Sequence, residues 1–118
     1  MLKTYTGSCH CGAVRFEADL DLTQPSFRCN CSICRRNRFW PAIAGPEGLR
    51  LLAGESELTE YRFNKRVIAH QFCKVCGVQP FAFAKDPKGV DTAAINARCV
   101  DGVDVTALNR VPYDGASA

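Results

Sequence analysis

Gly7-Ser8-Cys9-His10-Cys11-Gly12-Ala13-Val14-Arg15-Phe16-Glu17-Ala18-Asp19 carries two signals in one short stretch. From Ala13 to Asp19 the chain alternates, with Val14, Phe16 and Ala18 on one side and Arg15, Glu17 and Asp19 on the other. A period of two is that of a strand with one face in a core and the other in water. Directly before it, Cys9 and Cys11 stand one residue apart and are followed by Gly12. A disulfide between them would close a very small strained ring, so the pair reads as two ligands for one metal ion.

Working outward, similar short strands are predicted at about 39–44, 49–53, 57–63, 67–73, 79–84 and 91–98. Turn formers separate them: Gly45-Pro46-Glu47-Gly48, Ala53-Gly54-Glu55, Asn64-Lys65 and Asp86-Pro87-Lys88-Gly89. No long segment has the 3.6-residue period of an amphipathic helix, so the expected fold is all-β, mainly antiparallel, with helix confined to single turns. The best helical turn runs from Ser32, a suitable cap, to Arg36. Residues 1–118 read as a single domain, with 111–118 as a loose tail. Phe39, Trp40, Phe72, Phe81 and Phe83 are expected in the core.

At 118 residues, 47% apolar and 23% charged, the chain has ordinary globular composition and gains from a staple. No apolar run is long enough for a bilayer span, and the first residues lack a signal-peptide core. The expected location is the cytosol, where clustered thiols serve metals more often than disulfides. A net charge of +3 and a pI near 8.5 fall short of a nucleic-acid footprint. Arg28, Arg35, Arg36 and Arg38 nevertheless crowd the middle cysteines, where cations balance thiolates on a divalent ion.

Seven of the 8 cysteines form three clusters: Cys9/Cys11, Cys29/Cys31/Cys34 and Cys73/Cys76. Cys73-Lys74-Val75-Cys76-Gly77 is a knuckle whose two sulfurs reach one ion, with Gly77 relieving the turn. An ion joining it to Cys9/Cys11 would tie the first strand to the middle of the sheet. The middle cluster brings three ligands together locally, so it can hold an ion with one position open or closed by Cys99, His10 or His70. Cys99 reads as a buried thiol. His70, which alternates with Ile68 and Phe72, reads as a core or pocket-wall histidine.

Four stretches resemble the glutathione-dependent formaldehyde-activating enzyme family, which also includes centromere protein V. They are Gly7 to Phe16, Cys29-Asn30-Cys31-Ser32-Ile33-Cys34-Arg35-Arg36, Phe72-Cys73-Lys74-Val75-Cys76-Gly77 and, more weakly, Asn96-Ala97-Arg98-Cys99-Val100-Asp101-Gly102. The resemblance implies a zinc-stapled all-β fold, the β-tent also seen in a small guanine-nucleotide-exchange factor for Rab GTPases. It implies two zinc ions: a structural one on Cys9, Cys11, Cys73 and Cys76, and a catalytic one on Cys29, Cys31 and Cys34. The implied activity is that of a carbon–sulfur lyase, making and breaking the adduct of glutathione with formaldehyde. Many relatives have Ser or Thr directly after the knuckle glycine, where this chain has Val78.

The expected partners are a small thiol such as glutathione and a small aldehyde, without membrane or nucleic acid, and self-association is left open. Arg35 and Arg36 are the candidates for the thiol's carboxylates. The competing function is a zinc-stabilised module that binds nucleic acid or protein without chemistry.

Overall fold

A computed structural model describes residues 2–24, 26–29, 32–37, 39–45, 47–62, 68–85, 88–108 and 110–113, with backbone alone at 27–29 and 110–113. The strands are β1 (Lys3–Ser8), β2 (Arg15–Leu20), β3 (Ser26–Cys29), β4 (Pro41–Ala44), β5 (Leu49–Ala53), β6 (Leu58–Tyr61), β7 (Ala69–Cys73), β8 (Phe81–Lys85), β9 (Asp91–Asn96) and β10 (Arg110–Tyr113). One α-helix, α1 (Ser32–Asn37), and three 3-10 turns complete the described residues. Three sheets result, in the orders β1-β2-β5, β10-β3 and β4-β9-β8-β7-β6. Only β10 on β3 is parallel, so the fold is all-β and mainly antiparallel, with short helical turns.

Alternation along β2 builds the main core. Val14, Phe16, Ala18 and Leu20 meet Ala42, Ala44, Phe81, Ala93 and Ile95 of the five-stranded sheet, and Cys9 and Cys73 belong to the same buried cluster. Phe16 packs edge-on against Phe81, with ring centroids 5.7 Å apart at 87°. On the outer face of β2, Arg50 of β5 donates to Glu17 at 2.7 Å and to Asp19 at 2.9 and 3.0 Å.

Successive side chains of a strand face opposite ways, so Ala82 and Ala94, beside Phe81 and Ile95, turn away from that core. His70 pairs directly with Ala82 across the sheet and shares this second face. Helix α1 covers it, with Cys34 and Phe39 packed on Ala82 and with Ile33 and Ala94 alongside. The polypeptide thus sets one cysteine pair on each sheet of the main core, and Cys34 on the far side of the larger sheet.

Two expectations are corrected. Arg110–Tyr113 pairs in parallel with Ser26–Cys29, so the chain is held from 111 to 113 rather than loose. Pro112, which has no N–H, is tolerated because, among the described residues, β10 has a neighbour on one side only. Residues 114–118 lie outside the described residues. Phe39, Trp40 and Phe81 are buried, but Phe83 is 44% exposed, because it borders an open groove with Leu49 and Asp91.

Candidate metal centre

The two outer cysteine pairs sit in matching loops. The backbone N–H of Cys9 donates to the carbonyl of Val14 at 3.0 Å, and that of Cys73 to the carbonyl of Val78 at 2.9 Å. Each loop turns through a glycine at positive φ, Gly12 at 82° and Gly77 at 81°, a conformation costly to any residue with a Cβ. The sulfurs of Cys9, Cys11, Cys73 and Cys76 converge until all lie within 4.8 Å of one another. Cys9 Sγ is 3.6 Å from Cys11 Sγ, which is 3.7 Å from Cys73 Sγ. Four sulfurs each about 2.3 Å from one tetrahedral ion stand about 3.8 Å apart, so this donor set fits zinc.

The surroundings favour negative sulfur at Cys9 and Cys76 and oppose it at Cys11. Burial works against the Cys9 thiolate, yet the Val14 N–H, 3.3 Å from its sulfur, and the Cys11 and Cys73 thiols outweigh it and lower its pKa. Cys76 is likewise brought down to about 6: burial opposes the shift, and the N–H groups of Val78 and Cys11 overcome it. For Cys11 the Ala13 N–H pulls down, but burial and the three neighbouring thiols push it up to about 11. Without a cation Cys9, Cys11 and Cys76 compete for ionisation; a divalent ion relieves that conflict.

Of the middle cluster, Cys34 is buried on α1. Cys31 and the side chain of Cys29 lie outside the described residues, as do Arg38 and the Arg28 side chain. A directed chain of hydrogen bonds ties α1 to the sheet. The Phe39 N–H donates to Asn37 Oδ1 at 3.0 Å, so Asn37 Nδ2 must face outward, and it donates to Gln79 Oε1 at 2.6 Å. Gln79 Nε2 is therefore the donor to His70 Nδ1 at 2.9 Å. Neutral His70 then carries its proton on Nε2, and burial lowers its pKa in the same sense.

Of the three candidates for a fourth ligand to the middle cluster, Cys99 and His10 lie with the four-cysteine group, whereas His70 shares the sheet face on which Cys34 packs. Cys99 donates to the Gln79 carbonyl at 3.8 Å, with its pKa pushed up to about 12 by burial and then by Cys9 and Cys76, which puts it on the side of the four-cysteine group. His10 is exposed between Cys9 and Cys11. The Nδ1 of His70 is taken by Gln79. Arg35 and Arg36 are exposed on α1, and Arg36 donates to the Ser32 carbonyl at 2.9 Å. The sequence reading passed over Asn37 and Gln79; the one available signal was a polar residue inside the otherwise apolar run Val78-Gln79-Pro80-Phe81.

Comparison with known proteins places this geometry. The family model for the glutathione-dependent formaldehyde-activating enzyme matches residues 4–109. A Halomonas elongata protein named for the same enzyme is 60% identical over 30 residues, a match that takes in 25% of this chain and 19% of that protein's length. A crystal structure of a Rhodobacter sphaeroides protein superposes with a TM-score of 0.79 at 34% identity, over 91% of this chain and 97% of that one. The chain belongs to the glutathione-dependent formaldehyde-activating enzyme family.

Proposed function

We propose that this chain is a zinc-dependent carbon–sulfur lyase acting on the adduct of glutathione, or a similar thiol, with formaldehyde or another small aldehyde. Two zinc ions serve it, a structural one on Cys9, Cys11, Cys73 and Cys76 and a catalytic one on Cys29, Cys31 and Cys34. The observation that carries the reading is the separation of Cys34 from the four-cysteine group, on the opposite face of the five-stranded sheet. Cys99 and His10 lying with the four-cysteine group, and the Nδ1 of His70 being taken by Gln79, support an open fourth position for a substrate thiol. An ion held there lowers the pKa of a thiol in that position and so supplies a nucleophile at neutral pH.

In the reaction the substrate sulfur attacks the aldehyde carbon. The S–H bond breaks, a carbon–sulfur bond forms and the aldehyde oxygen takes up a proton, so no redox cofactor is required; the lyase direction reverses each step. The chain's own residues hold the parts in register. Phe39, Ala82 and Ala94 keep one side of Cys34 dry, the Asn37–Gln79 link sets the helix on the sheet, and Arg35 and Arg36 meet a carboxylate of the thiol. The setting we assign is the thiol-rich cytosol; among the described residues no helix is long and apolar enough to cross a membrane.

Zinc content and turnover of S-hydroxymethylglutathione, measured in the full-length protein and in Cys29→Ala, test this. We expect two zinc ions in the wild type, and in the variant one ion, an intact fold and no measurable turnover. A wild type with a single ion, or an active Cys29→Ala protein, would overturn the reading. Salt-sensitive nucleic-acid binding without turnover would favour the binding module instead.

A further inference from the structure

We propose that Gln79 is a positioning residue that couples the four-cysteine centre to helix α1 across the five-stranded sheet. It lies just beyond the knuckle that ends at Cys76-Gly77. Its neighbour Val78 is held on both sides: the Val78 N–H is bonded to the Cys76 sulfur, and the Val78 carbonyl accepts from the Cys73 N–H at 2.9 Å. The Gly77 N–H closes the same loop on the Cys73 carbonyl at 2.7 Å. The place of the two knuckle sulfurs therefore sets the point at which the chain enters Gln79.

Gln79 has little freedom to absorb a shift. Its carbonyl accepts from Asn96 Nδ2 at 2.8 Å and from the Cys99 thiol at 3.8 Å, and Asn96 Oδ1 in turn accepts from the Trp40 N–H at 3.4 Å. Pro80 follows, and a residue before proline is restricted to extended backbone. Pro80 is itself fully buried, and its carbonyl accepts from the Asn96 N–H at 2.9 Å. A backbone fixed on both sides passes a displacement on to its side chain. That side chain is 5% exposed and uses both ends of its amide, Oε1 accepting from Asn37 of α1 at 2.6 Å and Nε2 donating to His70 Nδ1 at 2.9 Å.

The far end of the link is equally fixed. Asn37 cannot turn to follow a displaced Gln79, because its Oδ1 is engaged by the Phe39 N–H at 3.0 Å. A buried amide that misses its partners pays its desolvation in full, so α1 keeps its seat on the sheet only while Gln79 keeps its place. From Cys76 to α1 the path is three peptide bonds, one side chain and one hydrogen bond. Such coupling is reciprocal: what an ion on the four cysteines gives to the docking of α1, α1 gives to the hold on that ion. The coupling requires an ion on the four cysteines and is independent of the lyase reading and of the position of the middle cluster.

The test replaces zinc by cadmium-113 in the full-length protein and reads both ends of the link by NMR. Cadmium is the larger ion and spreads the four sulfurs, and its own signal reports the sulfurs around it. Cys29→Ala keeps all four cysteines of the centre and removes a ligand of the middle cluster. In that protein the exchange should shift the side-chain amide signals of Gln79 and Asn37 and the ring-nitrogen signals of His70. Adding Gln79→Met, which fills similar space without an amide, should abolish the response of Asn37 and His70 while the four-sulfur cadmium signal persists. In the chain with every cysteine present, Asn37→Leu should move the four-sulfur cadmium signal although α1 lies on the other face of the sheet; this arm needs neither of the other variants to fold. Asn37 and His70 signals that ignore the exchange, an equal response with and without the Gln79 amide, or a cadmium signal indifferent to Asn37→Leu overturns the proposal, as does a wild type without a four-sulfur cadmium signal. Coupling without turnover of S-hydroxymethylglutathione overturns the lyase reading alone.

Discussion

Gly77 takes φ of 81° with no atom within 4 Å of where a Cβ would sit, so a substitution there feels backbone cost and no collision. Gly77→Ala should therefore cost about 1 kcal/mol of stability in metal-loaded protein, and Gly77→Asn less, because asparagine tolerates the left-handed region. Chemical denaturation of both variants checks this, and a larger loss for Asn than for Ala would sink it. Gln79 is the opposite case, a side chain whose value lies in direction. Its amide accepts from Asn37 and donates to His70, so Gln79→Leu strands two polar groups and should cost about 2–3 kcal/mol. Nitrogen NMR of the wild type at neutral pH should find the His70 proton on Nε2. A proton on Nδ1 would contradict the hydrogen-bond chain.

The β2–β5 pair shows how an element's outer row adds a pH dependence. Arg50, the first cause, and then Thr4 hold the Asp19 carboxyl down from 3.8 to about 2. A depressed carboxyl contributes its stability in full above the unfolded value and loses it as pH falls through the folded one. The stability difference between wild type and Arg50→Gln should thus be flat above about pH 5 and shrink as pH falls toward 2; a difference that grows in acid would refute it. These elements were legible to different degrees. Val14, Phe16 and Ala18 announced β2 because one face is buried and the other wet, and β5 falls at Leu49–Ala53 as read. β1 was not legible: from Lys3 to Thr6 its side chains are exposed or half-exposed, so no burial pattern is written into it. β3 and β10 are four residues each and, among the described residues, pair with one another alone, too short to carry a period.

At the scale of the whole molecule, the cysteine pairs could be read from spacing because ligand geometry is local, whereas Gln79 beneath α1 and Asn96 against Trp40 depend on contacts 42 and more positions apart. The same long range sets what a metal ion on the four-cysteine group would do for stability. Cys11 and Cys73, 62 positions apart, meet across the main core. Closing a loop of that length costs about 4 kcal/mol, while zinc on four thiolates supplies about 10–16 kcal/mol against a usual domain stability of about 5–15 kcal/mol. Removing that ion should therefore unfold the chain. The middle cluster closes only a short loop, and Cys34 already sits among Phe39 and Ala82, so the fold should survive without an ion there. Chelator titration, followed by circular dichroism and by released zinc, is expected to give two steps: one ion lost with the β-sheet signal intact, then the second lost together with it. In the same assay Cys73→Ala should be unfolded before chelator is added and Cys29→Ala should show the second step alone. A folded Cys73→Ala protein, or loss of the β signal with the first ion in wild type, would disprove the division between staple and reactive site.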